Sequence, residues 1–176
     1  MKKQFHNEEV IKREQARMQN RACRPHLYGT KITVPTRNGY MHAFIYNKEN
    51  LHPGYLIVEV HGGGFMYNTA ADDDDFCHFI HQTLGIPVIA CDYSLTPEHP
   101  FPIGLEDVYD CVLHALSMKE LKAQPDRIIL WGHSAGANLA AGVVYMSGKE
   151  QQFTPCMQIL DYPYMDPYRS SAERRP

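Results

Sequence analysis

The 176-residue sequence has no window approaching about eighteen uncharged apolar residues, and no apolar stretch follows its basic start, MKKQFHNEEVIKREQARMQN. Neither a membrane span nor a secretory leader is expected, and a cytoplasmic protein is. An excess of charge is missing too: 17 Lys and Arg stand against 20 Asp and Glu, a formal net charge of −3. That balance gives no electrostatic basis for nucleic acid or an anionic membrane surface as a partner. C-x-x-C pairs are absent as well. The five cysteines (Cys23, Cys77, Cys91, Cys111 and Cys156) are odd in number and widely scattered, so neither a disulfide framework nor a zinc site is expected. They read as buried free thiols.

What is present suits one globular domain, with 44% hydrophobic and 21% charged residues. Residues 7–20 predict a charged surface helix with a thin apolar stripe at Val10, Ile11 and Met18. Residues 1–25 are therefore expected to be an amino-terminal helix or cap segment, and residues 26–176 an α/β domain. TKITVP and YMHAFIYN flank TRNG, whose Asn38-Gly39 pair suits a tight hairpin turn with positive φ. Four short runs, YLIVEV (55–60), PVIACDY (87–93), RIILWG (127–132) and CMQIL (156–160), are apolar on both faces as buried parallel strands are. Helical stretches at about 72–84, 103–118 and 135–147 separate them, which implies βαβ units and a mostly parallel twisted sheet with helices on both faces. No repeat, low-complexity segment or interdomain linker interrupts the pattern.

Two stretches carry chemistry. VEVHGGGF ends an apolar strand in a histidine and three glycines, residues that add neither packing nor rigidity and so must serve the backbone. ILWGHSAGANLA runs a strand straight into Gly132-His133-Ser134-Ala135-Gly136 and then an alanine-rich helix. A serine on so sharp a strand-to-helix turn is lifted clear of the sheet, and the turn has no room for side chains two residues to either side, hence Gly132 and Gly136. If Ser134 attacks an ester carbonyl, the oxyanion needs donors already in place. Main-chain N–H groups of the glycine loop and of Ala135, at the positive end of a helix dipole, could provide them.

HGGGF, DYSLTPEHPFP (92–102), LEDVYDCV (105–112), GHSAGANLA (132–140) and LDYPYMD (160–166) together resemble, in order and spacing, the hormone-sensitive-lipase-like carboxylesterases of the α/β-hydrolase fold. The resemblance covers residues 55–166. It implies Ser134 as the nucleophile, Gly63, Gly64 and Ala135 as the oxyanion hole, and His61 as a brace for the glycine loop. It implies a small-molecule ester substrate and an acyl-serine intermediate, with no cofactor and no metal. The family usually has aspartate before the serine; here it is His133.

Other polar residues have structural readings. The acids of DDDD (72–75) suit the start of a helix, where they complement its dipole and cap free N–H groups, rather than a metal site. His99 lies among prolines in a turn, and Asp161 and Asp166 read as structural residues near the site. All ten histidines lie between His6 and His133, whereas this fold places its triad in the order serine, acid, histidine. The expectation is an amino-terminal portion of an esterase, truncated after the strand following the nucleophile helix, weak on its own and able to self-associate through an uncovered sheet edge. The alternatives are a non-catalytic small-ligand-binding protein of the same fold and an amide or formamide hydrolase.

Overall fold

The structure, a computed structural model, describes residues 27–47 and 50–166. The expected amino-terminal helix at 7–20 and the segment 1–25 lie outside them. Apolar residues alternate with polar ones in β1 (Thr30–Thr36) and less so in β2 (Gly39–Tyr46), which pair antiparallel at one end of a six-stranded sheet. The runs that are apolar on both faces take the middle: β3 (Leu56–Val60), β4 (Val88–Asp92) and β5 (Ile128–His133), followed by β6 (Pro155–Asp161) at the other end. The sheet order is β1-β2-β4-β3-β5-β6, with β4, β3, β5 and β6 mutually parallel.

The connections are a 3-10 turn (Ala70–Asp73) leading into α1 (Asp74–Leu84), then α2 (Ile103–Ser117) and α3 (Ala135–Glu150). One face of the sheet packs Leu56, Val58, Val60, Ile89 and Leu130 against Val108 and Val112 of α2 and Leu139 and Val143 of α3. The other face packs Phe44, Ile57, Val88 and Ala90 against Cys77 and Ile80 of α1. Helices therefore cover both faces, as expected from the strand and helix alternation. Among the described residues, no helix is long and apolar enough to cross a membrane.

The hairpin differs from expectation in its turn. The loop residues are Arg37 and Asn38, with Thr36 paired to Gly39, and the positive φ falls on Gly39 (132°) rather than on Asn38. Arg37 sets this geometry. Its N–H donates to Asp110 Oδ2 at 2.7 Å and its guanidinium to Asp110 Oδ1 at 2.8 Å, so α2 holds the turn.

The acidic run divides its roles instead of capping as a block. Asp72 Oδ2 accepts from the Thr69 N–H at 2.9 Å in a capping box, but Asp73, the N-cap of α1, makes no side-chain cap hydrogen bond. Asp74 turns inward, only 2% exposed, and accepts from the N–H groups of Tyr28 and Gly29 and from the Tyr46 hydroxyl. One cysteine also departs from the buried-thiol expectation: Cys77, Cys91 and Cys111 are buried, but Cys156 is exposed, because β6 has only β5 beside it among the described residues.

The sheet order places the site. From β3 the chain steps outward on one side to β4, then crosses back over β3 to reach β5 on its other side. Such a reversal opens a crevice at the carboxyl ends of the two adjacent strands, the place where open α/β sheets hold ligands. The glycine loop leaves β3 and the serine turn leaves β5 at that crevice, with Val60 and Gly132 in register.

Candidate active site

Ser134 sits between β5 and α3 with φ 52° and ψ −110°, a conformation that an L-residue holds at a cost of about 1–3 kcal/mol. The surroundings enforce it. A Cβ on Gly132 would meet Ala137 Cα at 2.6 Å, and one on Gly136 would strike the carbonyl oxygens of Val60 and His61. The first turn of α3 is thus pressed against the end of β3. The Ser134 N–H donates to the Asp161 carbonyl at 2.9 Å, and the Ser134 carbonyl accepts from Tyr164 N–H at 3.3 Å and Asn138 N–H at 3.2 Å. The end of β6 and Tyr164 just after it therefore hold the turn from outside.

The glycine loop curls beside it. A Cβ placed on Gly62 would lie 3.5 Å from Ser134 Cβ, so loop and serine are neighbours. Positive φ values occur at Gly63 (123°), Gly64 (63°), Phe65 (65°) and Asn68 (71°), a concentration of sparsely populated backbone that marks functional loops. The Gly63 carbonyl accepts from the N–H groups of Met66 (3.2 Å) and Tyr67 (3.0 Å). The Phe65 carbonyl accepts from the Thr96 N–H at 2.8 Å and its hydroxyl at 3.2 Å. Gly63 has no room for a side chain because Tyr67 O occupies the place of its Cβ, whereas Gly64 faces open space.

His61 is 1% exposed and stacks on Tyr93 with ring centroids 4.3 Å apart. Its Nδ1 lies 2.7 Å from the Gly62 carbonyl, a geometry that requires Nδ1 to carry the proton, and the Tyr93 hydroxyl donates to the His61 carbonyl at 3.1 Å. Burial lowers the pKa of this ring, so it stays neutral near pH 7. Ala135 is the first residue of α3, where helix geometry leaves the N–H without an intrahelical acceptor.

His133 is turned to the α1 side of the sheet. Its Nδ1 lies 3.1 Å from Asp161 Oδ2, its ring meets Phe76 edge-on at 4.9 Å, and its Nε2 is 4.0 Å from Glu59 Oε1. Glu59 is fully buried in β3, and burial, with the negative charge of Asp73 adding to it, pushes its carboxyl well above the ordinary range. The sequence reading gave no role to Glu59 or Tyr93, and it took Asp73 only as one of the acids that suit the start of a helix. A signal for Glu59 was there: it is the one charged residue in LIVEV, a strand apolar on both faces. His99 is exposed on its turn, away from these groups, and Asp161 serves the serine turn through its carbonyl and His133 through its carboxylate.

Residues 57–176 match the sequence profile of the alpha/beta hydrolase fold family. The chain belongs to the α/β-hydrolase fold family. It is 32% identical over 147 residues to the carboxylic ester hydrolase LipN of Mycobacterium tuberculosis, an overlap of 80% of this chain and 39% of that one. It is 39% identical over 89 residues to the hormone-sensitive lipase of Mus musculus, covering 50% of this chain and 12% of the lipase. The solved esterase of Pyrobaculum calidifontis superposes with a TM-score of 0.73 at 30% identity, over 88% of this chain and 51% of that one. The chain thus spans well under two thirds of these α/β hydrolases. The resemblance to hormone-sensitive-lipase-like carboxylesterases drawn from HGGGF and GHSAG holds at the level of sequence and fold alike.

Proposed function

We propose that the protein is a carboxylic-ester hydrolase whose nucleophile is Ser134. The observation that carries this reading is the strained Ser134 turn at the carboxyl end of β5, set against the glycine loop at the carboxyl end of β3. In the proposed reaction Ser134 Oγ attacks the ester carbonyl and gives its proton to a base, while the N–H groups of Gly63, Gly64 and Ala135 receive the oxyanion. The alcohol leaves, and water hydrolyses the acyl-serine by the same sequence of steps. His61 and Tyr93 position the loop. Relatives named as ester hydrolases and lipases support the substrate class.

A serine hydroxyl is a weak nucleophile without a base. The two histidines at the site are engaged elsewhere: His61 through Gly62 and Tyr93, His133 through Asp161. Residues 1–176 alone are therefore expected to hydrolyse p-nitrophenyl acetate at only about 10³ to 10⁴-fold over water, the residue left by binding and oxyanion stabilisation when a triad member is missing. A longer protein carrying an acid and a histidine after Ser134 is expected to be fast. Initial rates of the two proteins test the reading, and fast turnover by residues 1–176 that Ser134→Ala abolishes would mean that a base lies within these residues.

The two oxyanion glycines separate activity from folding. Gly64→Ala should lower kcat by about 10²-fold or more in the active protein, because the new Cβ projects into the open space beside Ser134 where the acyl group would lie, with a Tm loss of only a few degrees from alanine at φ 63°. Gly63→Ala should lower both, since its Cβ would strike Tyr67 O and break the loop's turn. Thermal melts alongside kcat resolve the two; full activity in Gly64→Ala would remove the loop from the oxyanion hole.

The exposed β6 carries Cys156 and Met157, the latter 53% exposed, beside a strand edge that is unpaired among the described residues. Residues 1–176 alone are expected to self-associate at micromolar concentration, read by static light scattering, and a strictly monomeric 20.2 kDa species would contradict this.

A further inference from the structure

We propose that Glu59, Asp73 and His133 form a binding site for one divalent transition-metal ion on the α1 side of the serine turn. One carboxylate oxygen from each acid and one ring nitrogen of His133 all lie within 4.8 Å of one another. They come from three separate elements: the interior of β3, the N-cap of α1 and the end of β5.

Glu59 is the first independent indication. It is 0% exposed and shares its sheet face with Ile57 and Ala90, and no backbone N–H, hydroxyl or cationic group reaches its oxygens, whose polar neighbours are the Asp73 carboxyl and the Cys77 thiol. A carboxylate buried in such a place is unfavourable unless it is neutralised by a proton or paired with a cation. His133 is the second. A metal-binding imidazole characteristically gives its other ring N–H to a carboxylate, which fixes the tautomer and the ring plane. Asp161 Oδ2 stands 3.1 Å from Nδ1, leaving the Nε2 lone pair on the Glu59 side at 4.0 Å. That separation is too long for a hydrogen bond. Two donors on one tetrahedral ion at about 2.0–2.1 Å are roughly 3.4 Å apart, so the His133–Glu59 pair must close by about half an ångström and the widest pair of the three, within 4.8 Å, by up to about 1.4 Å, through side-chain rotation. Asp73 is half-buried and makes no side-chain cap hydrogen bond to the helix it begins; its carboxyl is directed instead at Glu59.

The competing arrangement is a proton shared between the two carboxyls, which gives His133 and Asp161 no part. One imidazole nitrogen and two carboxylate oxygens favour Zn²⁺, Mn²⁺, Fe²⁺ or Co²⁺ over Mg²⁺ and Ca²⁺, which prefer oxygen alone. The ion would tie the start of α1 and the middle of β3 to the residue preceding Ser134, so its ligands are positioning residues, remote from the reacting carbonyl. The proposal does not depend on the ester-hydrolase reading, because it is read by binding.

The test uses the full-length protein, stripped with chelator and equilibrated with Zn²⁺ or Co²⁺. One equivalent of Zn²⁺ per chain by plasma mass spectrometry is expected, together with a raised Tm and visible absorption bands from bound Co²⁺. Glu59→Gln and His133→Asn should each weaken Zn²⁺ binding about 100-fold or more, and Asp161→Asn about 10 to 100-fold. His99→Asn, an exposed histidine on a distant turn, should leave it unchanged. If Glu59→Gln does not fold, Asp73→Asn takes its place. Binding below a tenth of an equivalent, or binding unaltered by the Glu59 or Asp73 variant and by His133→Asn, overturns the proposal.

Discussion

In the catalytically complete protein, Ser134→Ala is expected to lower kcat for a short p-nitrophenyl ester by about 10⁴ to 10⁶-fold, with KM changed little. The side chain removed is the one that would form the acyl intermediate, so the chemistry passes to unassisted water in the oxyanion hole. Folding should not suffer, because Ser134 is held by its backbone: its N–H meets the Asp161 carbonyl and its carbonyl meets Tyr164 and Asn138. Alanine at φ 52° carries the same backbone strain as serine. A variant that kept more than about a tenth of the wild-type kcat would assign the nucleophile elsewhere.

The largest stability effect is expected at Asp74. Its carboxylate is 2% exposed and takes three hydrogen bonds, from the N–H groups of Tyr28 and Gly29 at 3.0 Å each and from the Tyr46 hydroxyl at 2.8 Å. It joins the first turn of α1 to β2 and to the segment entering β1. Asp74→Ala strands the buried Tyr46 hydroxyl, at about 1–3 kcal/mol, and frees two part-buried N–H groups that water can reach in part, so a loss of about 3 kcal/mol is expected. For a domain of this size that lowers Tm by about 6–12 °C. Asp74→Asn keeps one acceptor oxygen and should lose less. Differential scanning calorimetry of both variants checks the order; a shift under about 2 °C for Asp74→Ala would mean that the amino-terminal edge is held by packing alone.

The sheet and the serine turn were legible because local chemistry determines them. Strands apolar on both faces can lie only inside a covered sheet, and the spacing of Gly132 and Gly136 around Ser134 follows from the contacts a Cβ would make at the carbonyls of Val60, His61 and Gly136. Register and long-range pairing were not legible. His133 meets Asp161 because β5 and β6 align those two residues, a pairing across 28 positions that no local pattern encodes. Arg37 and Asp110, 73 positions apart, likewise decide which residues form the hairpin loop. In the acidic run, successive side chains on a helix point about 100° apart, so DDDD cannot reveal that Asp72 caps, Asp73 faces Glu59 and Asp74 is buried. Gly63 shows a further gap. Its glycine answers first to Tyr67 within its own loop, a contact that the sequence reading replaced with an approaching substrate.

The central claim, that Ser134 is an activated nucleophile, is tested most directly by covalent trapping. The full-length protein is incubated with a fluorophosphonate, digested and mapped by mass spectrometry. The account predicts one adduct per chain, on Ser134, formed in step with loss of esterase activity and absent from Ser134→Ala. Loss of activity with the adduct on another residue, or turnover of esters with Ser134 unmodified by excess reagent, would contradict it.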